Sequence, residues 1–305
     1  MEIVKPDVNI DFIRLRRAAL TLSALVIVAG LVSLFVKGGP NYGIDFTGGL
    51  MVHAGLGAGT DIAEVRRAVS SLEVGEISVQ SFESQPGEFL IRVPQADPQL
   101  TGGTAAAIKQ ALEKAFGADR VDIKRTEMVG PRVGHELRKR GILSVLAATV
   151  AMGIYIAVRF ELRFGIGAGV ALLHDVLVTV GALSLYNVEF NLSIVAALLT
   201  IVGYSVNDTV IVSDRIRENM RRLRKMELAT LINRSINETL SRTLLTTLTT
   251  LLVLFSLFFF GGGVIHGFAF TLIVGLVTGT YSSIFIASPI VEMWERRRQP
   301  EKARR

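Results

Sequence analysis

The chain has 305 residues, half of them hydrophobic and only 20% charged, with 33 Lys and Arg against 27 Asp and Glu, a net charge of +6 and no cysteine. So apolar a balance excludes a soluble enzyme as the starting expectation, and the lack of cysteine excludes disulfides and thiolate metal or redox chemistry. The small basic excess has to be located along the chain before it is read as affinity for nucleic acid.

A basic segment, residues 1–17, leads into a charge-free run from Ala18 to Val36. Roughly 20 apolar residues cross a hydrocarbon core about 30 Å thick, so this run is a candidate membrane span. Arg14, Arg16 and Arg17 precede it as they would in a signal peptide. The run is longer than a signal-peptide core and no A-x-A site follows, so it reads as a retained signal anchor.

Residues 37–140 carry 13 basic and 13 acidic side chains and are patterned as a small α/β domain. Leu50 to Leu56 reads as a strand, Thr60-Asp61 caps a helix over 61–72, and Glu76 to Phe82 and Phe89 to Val93 are strands around the Gln85–Glu88 turn. A helix over Thr101–Phe116, stopped at Gly117, and a strand from Arg120 to Val129 complete a β-α-β-β-α-β order, the ferredoxin-like arrangement. The domain shows no acid pair, nucleophile triad or histidine cluster, so it reads as a binding or moving module.

Five further spans follow, at 141–158, 164–186, 190–212, 243–260 and 266–290, with a loop at 213–242 and a basic tail at 291–305. Only Gly261 to Gly263 separate the last two, which is room for a tight turn. Six spans put both termini on one side. The segments on that side hold 20 Lys and Arg and a net charge of +9, and the two short loops opposite hold none. The positive-inside rule therefore predicts cytoplasmic termini and an exported 37–140 domain. The basic charge then reflects topology and anionic lipid headgroups, and nucleic-acid binding is not expected.

Ionisable groups inside spans are costly and mark function by default. Asp175 lies in the third span beside His174, and Asp208 in the cytoplasmic half of the fourth. Steps of four place Ala196, Thr200, Tyr204 and Asp208 on one helix face, and Arg242 opens the fifth span at a depth similar to Asp208. Asp208 with Arg242 reads either as a protonatable pair or as a packing contact; Asp175 is the weaker proton-path candidate, held by backbone and Thr179. Four histidines on separate segments (His53, His135, His174, His266) predict no metal site, and no phosphate-binding loop is present, so energy must come from an ion gradient or a partner. Gly267, Thr271, Gly275, Gly279, Ser283 and Ala287 recur every four residues, a small-residue face for close helix approach. Gly165, Gly167 and Gly169 open the third span similarly.

Several of these segments resemble the bacterial SecF members of the SecD/SecF protein-export family, themselves similar to half of an RND-type transporter. They are Tyr42-Gly43-Ile44-Asp45-Phe46-Thr47-Gly48-Gly49, His174-Asp175-Val176, Ile201 to Thr209 running into Ser213 to Asn219, Ser241 to Leu244 and Phe260-Gly261-Gly262. The resemblance implies an inner-membrane subunit that pairs with SecD, associates with the SecYEG channel and SecA, and uses the proton-motive force to assist preprotein export. No bound cofactor is implied. The family's proton-linked carboxylate and arginine fall on Asp208 and Arg242. Gly43, Asp45, Phe46, Gly48 and Gly49 form its motif after the first span, which we expect to act as a flexible joint. A scaffold role without proton coupling and a stand-alone small-molecule transporter are the alternatives.

Overall fold

The computed structural model describes residues 8–72, 77–81, 85–94 and 101–302. Residues 1–7, the outer ends Glu76 and Phe82 of the expected second strand, and 303–305 of the tail lie outside the described residues. Helix α1 (Phe12–Val36) starts at Asp11, whose carboxylate accepts the Arg14 N–H at 3.1 Å. A four-residue helix α2 (Ile44–Thr47) follows, then β1 (Gly49–Gly55), α3 (Ile62–Ser70), β2 (Ser78–Ser81), β3 (Glu88–Val93), α4 (Thr101–Phe116) and β4 (Asp122–Val129).

The sheet runs β2-β3-β1-β4 with every neighbouring pair antiparallel, so the α/β unit has the ferredoxin-like fold. Leu50, Val52 and Ala54 lie opposite Val93, Ile91 and Phe89. These residues form one apolar core with Val65 and Val69 of α3 and Ile108 and Leu112 of α4. Because side chains alternate along a strand, Met51, His53, Leu90 and Arg92 project from the other face. That face is covered as well: it lies over the α6–α7 turn of the membrane helices and encloses a cavity of about 500 Å³.

Six helices are long and apolar enough to cross a membrane. They are α1, α5 (Pro131–Arg159), α6 (Leu162–Leu185), α7 (Leu192–Arg222), α8 (Leu228–Phe260) and a final run. The final run joins α9 (Gly262–Ser282) to α10 (Ser288–Lys302) through a π-helical turn at Ser283–Ala287. The apolar stretches of α6, α7 and the final run are 50% to 56% buried, whereas those of α1, α5 and α8 are only 17% buried. The first three form the centre of the bundle. The outer three present Leu, Val, Ile and Phe to the lipid, as at Leu25, Val32, Leu146 and Leu252.

Segment 213–242, expected as a loop, is helical on both sides of a short turn. Helix α7 continues to Arg222, α8 starts at Leu228, and only the residues between connect them. Side-chain pairs one turn apart, Arg215 with Glu218 (2.6 Å) and Arg222 with Glu218 (3.0 Å), carry α7 beyond its apolar part. Helix α5 likewise begins ten residues before the expected span, with Pro131 in its first turn.

Candidate functional site

The two intramembrane aspartates have opposite surroundings. Asp175 on α6 is 1% exposed and fully bonded. Its Oδ2 accepts from Ser205 Oγ of α7 (2.6 Å) and Ser282 Oγ of α9 (2.8 Å), and its Oδ1 lies 3.0 Å from His174 Nδ1. Thr179 serves the backbone, donating to the Asp175 carbonyl at 2.7 Å, and leaves the carboxylate to the two serines. Asp175 thus ties the three central helices together. Beside it, the His174 ring stacks on Tyr281, whose hydroxyl donates to the Ala19 carbonyl of α1 at 2.7 Å.

Asp208 on α7 is wholly buried, yet neither carboxylate oxygen has a hydrogen-bond partner among the described residues. The Thr280 hydroxyl lies beside it. That hydroxyl bonds the Leu276 carbonyl (3.1 Å) and Thr247 Oγ1 (2.8 Å) instead. Arg242 is exposed and makes no ion pair with Asp208, although its charge acts on the carboxylate. It lines a cavity of about 490 Å³ at the end of the bundle away from the α/β domain, among Asp214, Arg215, Glu218 and Glu238. The arginine and the aspartate therefore stand on neighbouring helices without a direct bond.

Spacing by four does not keep Asp208 on the face of Ala196. Each four-residue step turns about 400°, so three steps rotate the side chain by about 120°. Ala196 and Thr200 are exposed, Tyr204 is half-buried and Asp208 faces inward. The exposed face continues instead through Gly203 and Asn207. On α9 the same drift is followed by the neighbouring helix. Gly267 packs by Val188 and Ile194, Gly275 against Ile201 and Gly279 against Ser205, and Ser283 Oγ meets Thr209 Oγ1 at 3.0 Å. The small-residue face is thus filled by α7 of the same chain and is not available to a partner.

The Tyr42–Gly49 motif is clamped over its first half. Asp45 Oδ2 accepts the Leu192 N–H at 2.8 Å, capping α7 together with Asn191. Phe46 is buried among Val145, Leu183, Ile194 and Leu198. Gly43 N–H donates to the Phe190 carbonyl at 2.9 Å. Only Gly48 and Gly49 have the positive φ (+75° and +121°) that favours glycine, at the entry to β1. Within the motif, the backbone conformation that favours glycine thus lies at those two residues.

Sequence reading missed two further contacts. Gly30 of α1 lies directly on Gly181 of α6, where an added Cβ would come within 2.6 Å of the Gly181 Cα. Glu292, counted with the basic tail, is wholly buried and paired with Arg16 of α1 and Arg296. Spacing alone exposes neither, because each joins residues more than 150 positions apart or hides a charge inside a charged segment.

The family description "Protein export membrane protein SecD/SecF, C-terminal" matches residues 108–297. The chain belongs to the SecD/SecF family. Within that family it is 49% identical over 293 residues to protein translocase subunit SecF of Magnetococcus marinus, covering 95% of this chain and 94% of that protein. SecF of Vibrio alginolyticus is 42% identical over 290 residues, covering 95% and 91%. The crystal structure of SecDF from Thermus thermophilus, described as a translocon-associated membrane protein, superposes with a TM-score of 0.84 at 36% identity. The match covers 96% of this chain but only 40% of that SecDF chain. SecDF in a super-membrane-facing form gives 0.70 at 37% identity, covering 99% and 41%. The chain thus matches more than nine tenths of these SecF proteins and about two fifths of the SecDF chains.

Proposed function

We propose that this multi-pass membrane protein serves protein export by carrying protons through Asp208 and transmitting the resulting change to its exported domain. The observation that carries the reading is the bare Asp208 carboxylate. Insertion scales put a charged side chain at a helix centre at about 2.5–3.5 kcal/mol. A buried carboxyl with no hydrogen-bond partner among the described residues can change its protonation state without breaking a bond, and a shift of Arg242 or of water toward it would drive that change. Asp175, with every bond satisfied, holds the helices while Asp208 changes state.

The exposed Ala196-Thr200-Gly203-Asn207 face supports a second component. It is small and polar, unlike the Leu, Val, Ile and Phe faces of α1, α5 and α8, and suits close packing with another helix better than lipid. The matched chains are SecDF proteins of which this chain covers about two fifths, in keeping with a SecD partner. In this reading the complex sits in the bacterial inner membrane with both termini in the cytoplasm. SecYEG, SecA and the exported preprotein are its functional neighbours, anionic lipid neutralises the basic cytoplasmic segments, and the proton gradient replaces any bound cofactor. The chain itself performs no covalent catalysis.

Reconstitution with the SecD partner tests the reading. Asp208→Asn is expected to abolish proton flux and proton-dependent export while the complex still assembles. Wild-type flux and export in that variant would overturn it.

A further inference from the structure

The exported domain meets the membrane helices through one charged contact that the proton-coupling site does not include. Glu189 lies in the turn between α6 and α7, and its carboxylate pairs with Arg92 of β3. The side chains are only 20% and 10% exposed. Arg92 Nη2 also donates to Gln80 Oε1 at 3.2 Å. Gly43 packs so closely against Glu189 that any side chain there would strike the carboxyl group. The turn is pinned from below as well: Phe190 N–H donates to the Asn41 carbonyl at 2.7 Å, and the next residues open α7.

Charge around this contact is unevenly matched. Asp45 of α2 and Glu127 of β4 act on Glu189, Arg125 is paired with Glu127, and His266 of α9 lines the same cavity. Three carboxylates thus meet two guanidinium groups where the sheet faces the α6–α7 turn, the Arg92–Glu189 pair being the more buried. Closing it around an ionised Glu189 is opposed by desolvation and by the two neighbouring acids. Burial pushes the Glu189 carboxyl up, Arg92 opposes this, and Asp45 and Glu127 push further up. Burial also pushes the Arg92 guanidinium down against the pull of Glu189.

We propose that Arg92 and Glu189 are positioning residues that seat the exported domain on the outer end of α7, the helix that carries Asp208, and that seating takes up a proton from the exported side. The purpose of the contact rests on the proton-coupling role of Asp208, but its existence does not. The sign follows from linkage. A carboxyl that holds its proton more tightly in the seated state makes seating firmer at low pH, and this gain is lost as pH rises through the seated-state value. One linked proton changes the ratio of seated to released domain by at most about tenfold per pH unit.

The absence of cysteine makes a distance measurement direct. Spin labels at Arg66→Cys on α3 and Val36→Cys at the outer end of α1, both exposed, report the domain-to-bundle separation in the full chain reconstituted with its partner. Pulsed electron spin resonance is expected to show a narrow separation at low pH that broadens as the pH rises, the direction set by the raised Glu189 carboxyl. Glu189→Gln should stay narrow at low and high pH, Arg92→Met should broaden at high pH with a larger pH response, and Glu189→Ala should be broad throughout. Asp208→Asn should keep the wild-type response while losing proton flux. An unchanged separation in Glu189→Ala, or a wild-type pH response in Glu189→Gln, would overturn the proposal. Loss of the pH response in Asp208→Asn alone would also overturn it, by placing the titrating group at Asp208. Normal proton flux in Asp208→Asn with the Glu189 effects intact would instead remove the proton-coupling reading and leave the seat standing.

Discussion

Replacing each intramembrane aspartate by alanine separates holding from switching. Asp175→Ala removes the acceptor of Ser205 and Ser282 and the contact with His174. Ser282 keeps its bond to the Gly279 carbonyl at 3.1 Å, so the Ser205 hydroxyl and the His174 ring nitrogen are the groups left buried without a partner. Interhelical hydrogen bonds in membranes average about 0.6 kcal/mol with a maximum near 1.7. An orphaned buried donor adds about 1–3 kcal/mol. The sum predicts a loss of about 2–4 kcal/mol, from these two principles together. Asp208→Ala removes no hydrogen bond, because the carboxylate makes none among the described residues, and relieves the burial of an ionisable group. Its stability should lie within about 1 kcal/mol of wild type or slightly above it. Equilibrium unfolding of the purified chain in mixed micelles, followed by helical circular dichroism, measures both. If Asp208→Ala proved as destabilising as Asp175→Ala, Asp208 would be a packing residue and the division of labour would fail.

Two other substitutions probe the helix faces. Gly275→Leu drives a side chain into Ile201 and should cost about 1–3 kcal/mol by overpacking, seen as a lower unfolding midpoint of the chain alone. A Cβ at Gly203 meets nothing within 4 Å and the position is exposed, so with Gly203→Leu the subunit should fold normally but fail to co-purify with its SecD partner. Glu292→Gln removes the buried anion that Arg16 and Arg296 share and should destabilise by about 1–3 kcal/mol, because both arginines reach solvent, measured in the same unfolding assay.

Much of the fold is written locally. Charge-free runs give the spans, and alternation in Leu50–Leu56 and Phe89–Val93, with the Asp61 cap and the Gly117 stop, gives the ferredoxin-like unit. Helix ends beyond the membrane were not legible, because hydropathy records where lipid is and not where helical hydrogen bonding stops; α7 and α8 continue on side-chain pairs that a hydropathy reading treats as loop. The identity of Asp208 as an intramembrane charge was legible, but its inward direction was not, since a four-residue spacing drifts around the helix. The Arg92–Glu189 contact was hidden for a different reason. Nothing in β3 or in the α6–α7 turn marks either residue until the fold lays the sheet over the bundle.

Helix α7 has 31 residues and, at about 1.5 Å per residue, is about 46 Å long, well beyond the hydrocarbon core of about 30 Å. Asp208 stands one residue from its midpoint, with arms of about 23 Å on either side. A group at the fulcrum of a lever moves little when the lever tips, so Asp208 stays sheltered between its neighbours while either end travels. By the same geometry a tilt of about 5° displaces each tip by about 2 Å in opposite directions. One end adjoins the Glu189 turn that meets the α/β domain, and residues 210–218 of the other arm border the charged cavity around Arg242. A tilt driven by the proposed change of charge at Asp208 would thereby reach both ends of α7 without the helix bending.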